Sequence, residues 1–128
     1  MVAAAADPSR CLVLFAHGAR DLRWAESITR IRDLVAARVD ATTHVRQAYL
    51  ELMSPSLPEL AAELAAKGVT EIKVIPIFLG QGAHVRDALP KLIQQLQATY
   101  PAMHITLAAT IGESDHVLQA IAHACLVA

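Results

Sequence analysis

The sequence predicts an α/β domain, an open four-stranded parallel sheet of order 2-1-3-4 with helices on both faces. Three observations predict it. Short apolar runs alternate with longer segments of helical period along the whole chain. The first run, Cys11-Leu-Val-Leu-Phe-Ala16, is continuously apolar, as in a strand buried on both faces. The chain has 128 residues, 55% apolar and 18% charged, which suits one core and excludes a disordered chain.

The elements follow in order. Residues 1–10 are expected to be a flexible tail, and 11–128 a single domain. The tail lacks the basic start and long apolar stretch of a secretory signal. After strand 1 and His17-Gly18, Ala25, Ile28, Ile31 and Val35 recur at helical steps. His44–Leu50 reads as strand 2, polar enough for a sheet edge. Ser56-Leu-Pro-Glu59 is a capping box that opens a helix with Leu57, Leu60 and Leu64 inward, closed by Lys67-Gly68. Glu71–Leu79 reads as strand 3, with a bend or local break expected near Pro76, whose ring removes a ladder donor.

Gly80–His84 reads as a loop. A helix follows with Leu89, Leu92, Ile93 and Leu96 inward, Pro90 near its first turn and Tyr100-Pro101 at its end. His104–Ile111 reads as strand 4. Ser114 then caps a last helix carrying Leu118, Ile121, Cys125 and Leu126.

Charge and cysteine usage exclude several function classes. The net charge is −1, so no global field favours nucleic acid or an anionic membrane. No apolar run reaches the roughly 18–20 residues of a bilayer span. Cys11 and Cys125 form no CxxC, and both read as buried free thiols of a cytoplasmic protein. Neither GxGxxG nor GxxxxGK[ST] occurs, so no nucleotide is expected.

Ligands of open α/β sheets bind beyond the carboxyl ends of the strands, at the switch in strand order. Strand 1 ends at His17, strand 3 runs out towards His84, and Glu51 follows strand 2. Two imidazoles and a carboxylate there suit an open site for a cobalt, nickel or iron ion. Glu51 equally suits a turn cap before Met53-Ser-Pro55. Arg20, Arg23 and Arg86 can clamp substrate carboxylates or stay solvated. Gly18, Gly80 and Gly82 allow close backbone approach to a ligand or positive φ in turns. Trp24 and Tyr49 read as core or as the lining for a flat hydrophobic ligand, core first. His44 and His104 fall at the opposite sheet edge, while His116 and His123 share one face of the last helix.

Three stretches carry a resemblance. They are His17-Gly-Ala-Arg20, Ala48-Tyr-Leu-Glu51 with Pro55, and Pro76-Ile-Phe-Leu-Gly-Gln-Gly-Ala-His84 with Asp87 and Pro90. Together they resemble the small class II tetrapyrrole chelatases, sirohydrochlorin cobaltochelatases and their ferrochelatase relatives, from about Leu12 to Glu113. Ala19 departs from the serine often found there. The resemblance implies ATP-independent insertion of a divalent metal, Co²⁺ before Fe²⁺ or Ni²⁺, into sirohydrochlorin. The cobalt product leads to cobalamin and the iron product to sirohaem. His17 and His84 would handle the metal and Glu51 would be the nearby carboxylate. Arg20, Arg23, Arg86, Gly80 and Gly82 would hold the tetrapyrrole. The chain has one half-domain where many relatives have two, which implies a homodimer. Two other classes are weighed against this, a phosphohistidine carrier, which needs His17 but not His84, and a metal- or tetrapyrrole-binding protein without catalysis.

Overall fold

The computed structural model describes residues 9–128. Four strands, β1 (Arg10–Ala16), β2 (Thr43–Tyr49), β3 (Glu71–Pro76) and β4 (His104–Leu107), alternate with four helices. These are α1 (Glu26–Ala36), α2 (Leu57–Ala66), α3 (Ala83–Thr99) and α4 (Asp115–Leu126). The sheet is parallel throughout, in the order β2-β1-β3-β4. The switch point therefore falls between β1 and β3, and β2 lies at an edge as its polarity predicts. Of the expected tail, residues 1–8 lie outside the described residues, while Arg10 already opens β1 and pairs with Glu71.

The two faces are covered unequally. α2 and α3 pack on one face, where Cys11, Val13, Phe15, Ile72, Val74 and Ile105 meet Leu57, Leu60, Leu64, Leu89 and Ile93. α1 covers β1 and β2 on the other, with Ile28 and Ala25 against Leu14, Ala16 and Tyr49. α4 buries none of its residues, and Leu118, Ile121 and Leu126 stand exposed. Ile75 of β3 and Ile77 just beyond it pack on the α1 side of the sheet and are only partly buried.

Local signals explain most boundaries. Ser56 Oγ accepts from the Glu59 amide at 3.2 Å, and Glu59 Oε1 accepts from the Ser56 amide at 3.0 Å. These two bonds satisfy amides that no helical carbonyl reaches. Gly68 closes α2 at φ 78, a conformation glycine adopts without steric cost.

Four expectations are corrected. β3 ends at Pro76 rather than Leu79, so of the bend or local break expected at the proline, the break is what forms. β4 stops at Leu107 rather than Ile111, and the chain turns through Ile111–Glu113. α3 begins at Ala83, which places His84 in its first turn and Pro90 in its interior. Cys125 is exposed on α4, while Cys11 is fully buried and desolvation pushes its thiol pKa up to about 11.

Candidate active site

The carboxyl ends of β1, β2 and β3 supply the site. The ladder between β1 and β2 outlasts the strands, as the Leu50 amide donates to the Ala16 carbonyl at 2.8 Å. His17 and Glu51 therefore leave the sheet side by side. His17 Nδ1 lies 3.3 Å from Glu51 Oε1, with both side chains about half exposed. The imidazole also rests against the Phe78 ring, with centroids 4.7 Å apart and planes tilted by 58°. Phe78 is buried and meets Phe15 edge to face at 6.1 Å. The histidine thus has an apolar support on one side and a carboxylate on the other.

Glu51 owes its placement to a tight turn. The Met53 amide donates to the Glu51 carbonyl at 2.8 Å, closing three residues around Leu52 at φ 67. Left-handed backbone at a side chain other than glycine is sparsely populated and costs about 1 kcal/mol or more. The turn points the carboxylate at His17, so the capping alternative for Glu51 is not what the structure shows.

His84 sits one residue inside α3, which has Gly82 as its N-cap. It lines a cavity of about 430 Å³ with Glu51, and Leu50, Val85, Ala88, Leu89 and Leu92 form the apolar wall. Glu51 is therefore shared, bonded to His17 and bordering the same cavity as His84. Among the described residues, no three His, Cys, Asp or Glu side chains are grouped closely enough to hold a metal ion. The predicted trio meets at one edge of the sheet, but not as a closed coordination shell.

The rim residues differ among themselves. Arg23 is engaged locally, with its Nε and Nη2 donating to Asp21 at 3.3 and 3.0 Å. That contact holds the Asp21 carboxyl below its usual range. Arg86 makes one long bond, from Nη2 to the Gln81 carbonyl at 3.4 Å. Arg20 is exposed. Gly80 and Gly82 border open space and have no left-handed φ. Tyr49 is buried as expected, its hydroxyl accepting from Gln47 at 2.7 Å. Trp24 is 41% exposed, so the core reading of that residue is corrected.

The sequence reading missed Phe78 as the support of His17, and it missed the exposed apolar rim of Leu22, Leu52 and Leu79. Leu22 and Leu52 were legible, because they interrupt segments outside any strand or helix in the sequence reading, whereas Leu79 reads in sequence as the end of strand 3. It also missed Gly112, whose absent side chain lets the Leu79 carbonyl pack against it. The Gly112 amide donates to the Phe78 carbonyl at 2.9 Å, so this glycine braces the segment beneath His17.

Comparison with known proteins agrees with this fold. The CbiX family model matches residues 11–126. A sirohydrochlorin cobaltochelatase of Methanothermobacter thermautotrophicus is 35% identical over 86 residues, 67% of this chain and 59% of that relative. The chain thus matches less than two thirds of that relative's length. A sirohydrochlorin cobaltochelatase of Sulfurisphaera tokodaii is 25% identical over 84% of each chain. The solved CbiX protein of Marinobacter aquaeolei VT8 superposes with a TM-score of 0.79 at 30% identity, covering 91% of this chain and 93% of that one. The sirohydrochlorin chelatase SirB of Bacillus subtilis, solved with cobalt, shares the fold at a TM-score of 0.75 and 24% identity. There the match covers 90% of this chain but 49% of SirB.

Proposed function

The chain belongs to the CbiX family, and we propose that it inserts a divalent metal, Co²⁺ first, into sirohydrochlorin without nucleotide hydrolysis. One observation carries the reading: Glu51 faces His17 while bordering the cavity that His84 lines. Insertion requires an incoming cation to shed water and the pyrrole nitrogens to lose protons. Neutral imidazole can donate a lone pair to the cation or accept a proton, and a carboxylate can balance the charge or pass the proton on. His17 and His84 are assigned to the metal as substrate, and Glu51 to the proton.

The apolar wall of Leu50, Val85, Ala88 and Leu92 suits the face of a flat macrocycle. The substrate's peripheral carboxylates call for cations, which Arg20 and Arg86 can supply on the rim, as can Arg23 on leaving Asp21. Gly80 and Gly82 leave open space for the substrate's edge. Iron is the second metal to test, because a Bacillus subtilis relative, 29% identical over 75 residues, is a sirohydrochlorin ferrochelatase. Softness of the ligands does not separate cobalt, iron and nickel.

The working unit in this reading is a cytoplasmic homodimer whose crevices face each other. Two features support the dimer. The aligned chain amounts to about half of SirB, and α4 leaves Leu118 and Ile121 without cover. No helix among the described residues is long and apolar enough to cross a membrane. The test is anaerobic incubation with sirohydrochlorin and Co²⁺, Fe²⁺ or Ni²⁺, followed by absorbance. Metal-dependent turnover above the uncatalysed rate, fastest with Co²⁺, is expected. Binding without turnover would leave a metal- or tetrapyrrole-binding protein, and a phosphoryl adduct on His17 would make it a carrier.

A further inference from the structure

We infer that Gly18 is a positioning residue for insertion, acting through Glu51; this rests on the chelatase reading. Its role comes from space rather than conformation. The φ of Gly18 is not left-handed, so an alanine there carries no left-handed strain. A Cβ at Gly18, however, would lie 1.7 Å from the Glu51 carbonyl oxygen and 2.9 Å from its carbonyl carbon. Both atoms are backbone, and no side-chain rotation relieves the overlap. The Met53 Cγ lies 3.3 Å away on the same side.

The bare Cα of Gly18 is thus the surface on which the loop after β2 seats. The Leu50 amide anchors that loop to the Ala16 carbonyl just before it, and the Met53 amide closes it just after. Between these two bonds, the approach of the Glu51 carbonyl to Gly18 sets how near its carboxylate comes to His17. The glycine after His17 therefore makes room for the protein's own backbone, and the ligand-approach alternative is not needed to explain it. A methyl group here pushes Glu51 outward, and His17 and Glu51 part.

The experiment is a double-mutant cycle of Gly18→Ala and Glu51→Ala, read by insertion kinetics and by nuclear Overhauser contacts in the metal-free protein. Gly18→Ala is expected to unfold cooperatively and to lose the contact between the His17 ring and the Glu51 side chain. Its kcat for cobalt insertion should fall about tenfold or more, the scale of a misplaced general base. The double variant should be no slower than Glu51→Ala alone, because a displaced loop without its carboxylate has nothing left to misplace. Losses that multiply, or a His17–Glu51 contact that survives in Gly18→Ala, overturn the assignment. A wild type that inserts no metal defeats the chelatase reading instead, and the contact measurement, which needs no substrate, still decides Gly18. Should Gly18→Ala fail to fold, the wild type decides. A contact between the Gly18 Hα and Met53 Hγ protons is expected, and its absence overturns the proposal.

Discussion

His17 Nδ1 and Glu51 Oε1 lie 3.3 Å apart although 34 residues separate them in the chain. Parallel pairing of β1 and β2 accounts for this. Ala16 registers with Tyr49, so the residues that follow each strand leave the sheet as neighbours. Phe78, two residues beyond the end of β3 on the other side of β1, backs the imidazole. A catalytic reading of the pair leads to definite expectations.

Replacing His17 or His84 with alanine should lower cobalt insertion by about 100-fold or more, the upper range for a lost acid–base or ligand group. Both side chains are exposed, so the thermal midpoint should move little. Turnover assays beside a melting curve check this. Full turnover by His84→Ala would remove that residue from the mechanism.

Glu51→Gln keeps the shape of the side chain but removes its charge. We expect kcat to fall about 10- to 100-fold with little change in KM, as for a group that acts mainly in the transition state. A raised KM at unchanged kcat would make Glu51 a substrate-binding group instead.

Acid should suppress cobalt binding. A protonated imidazole has no free lone pair, so metal competes with protons for His17 and His84. Calorimetric affinity for Co²⁺ should decline on acidification. A flat profile would argue against histidine ligands.

Stability should respond to the α2 cap. Ser56→Ala leaves the Glu59 amide without its acceptor and should cost about 1 kcal/mol in urea denaturation. Bonds from Ser56 hold the Glu59 carboxyl below its ordinary range, and Arg46 does the same for Glu63. A depressed acid stabilises the fold above its unfolded pKa, and that contribution is lost as pH falls through the lower folded value. Stability should therefore decline below about pH 4.5, where unfolded carboxylates begin to bind protons before folded ones.

Sedimentation equilibrium should give a dimer at micromolar concentration. Leu118→Asp with Ile121→Asp should shift it towards the monomer, because both leave charge on an apolar helix face. A wild-type monomer with full activity would defeat the dimer.

The sequence by itself determined the strand order, the edge at which chemistry gathers and the α2 cap. Those features rest on local signals: the continuous apolar run of β1, the Ser56–Glu59 spacing, and a chirality rule that leaves few ways to connect parallel strands. It also placed His17, Glu51 and His84 at one edge, because strand ends are visible in a hydropathy pattern. Tertiary structure decided the contacts. Whether Glu51 would cap a turn or face an imidazole depended on how closely two loops approach, and that depends on the missing Cβ of Gly18. The support beneath His17 came from Phe78, a residue that reads in sequence only as strand. The sequence pattern of α4 suggested a packed helix, yet its apolar residues are exposed. Periodicity reports that a helix has an apolar face; only the fold decides whether anything covers it.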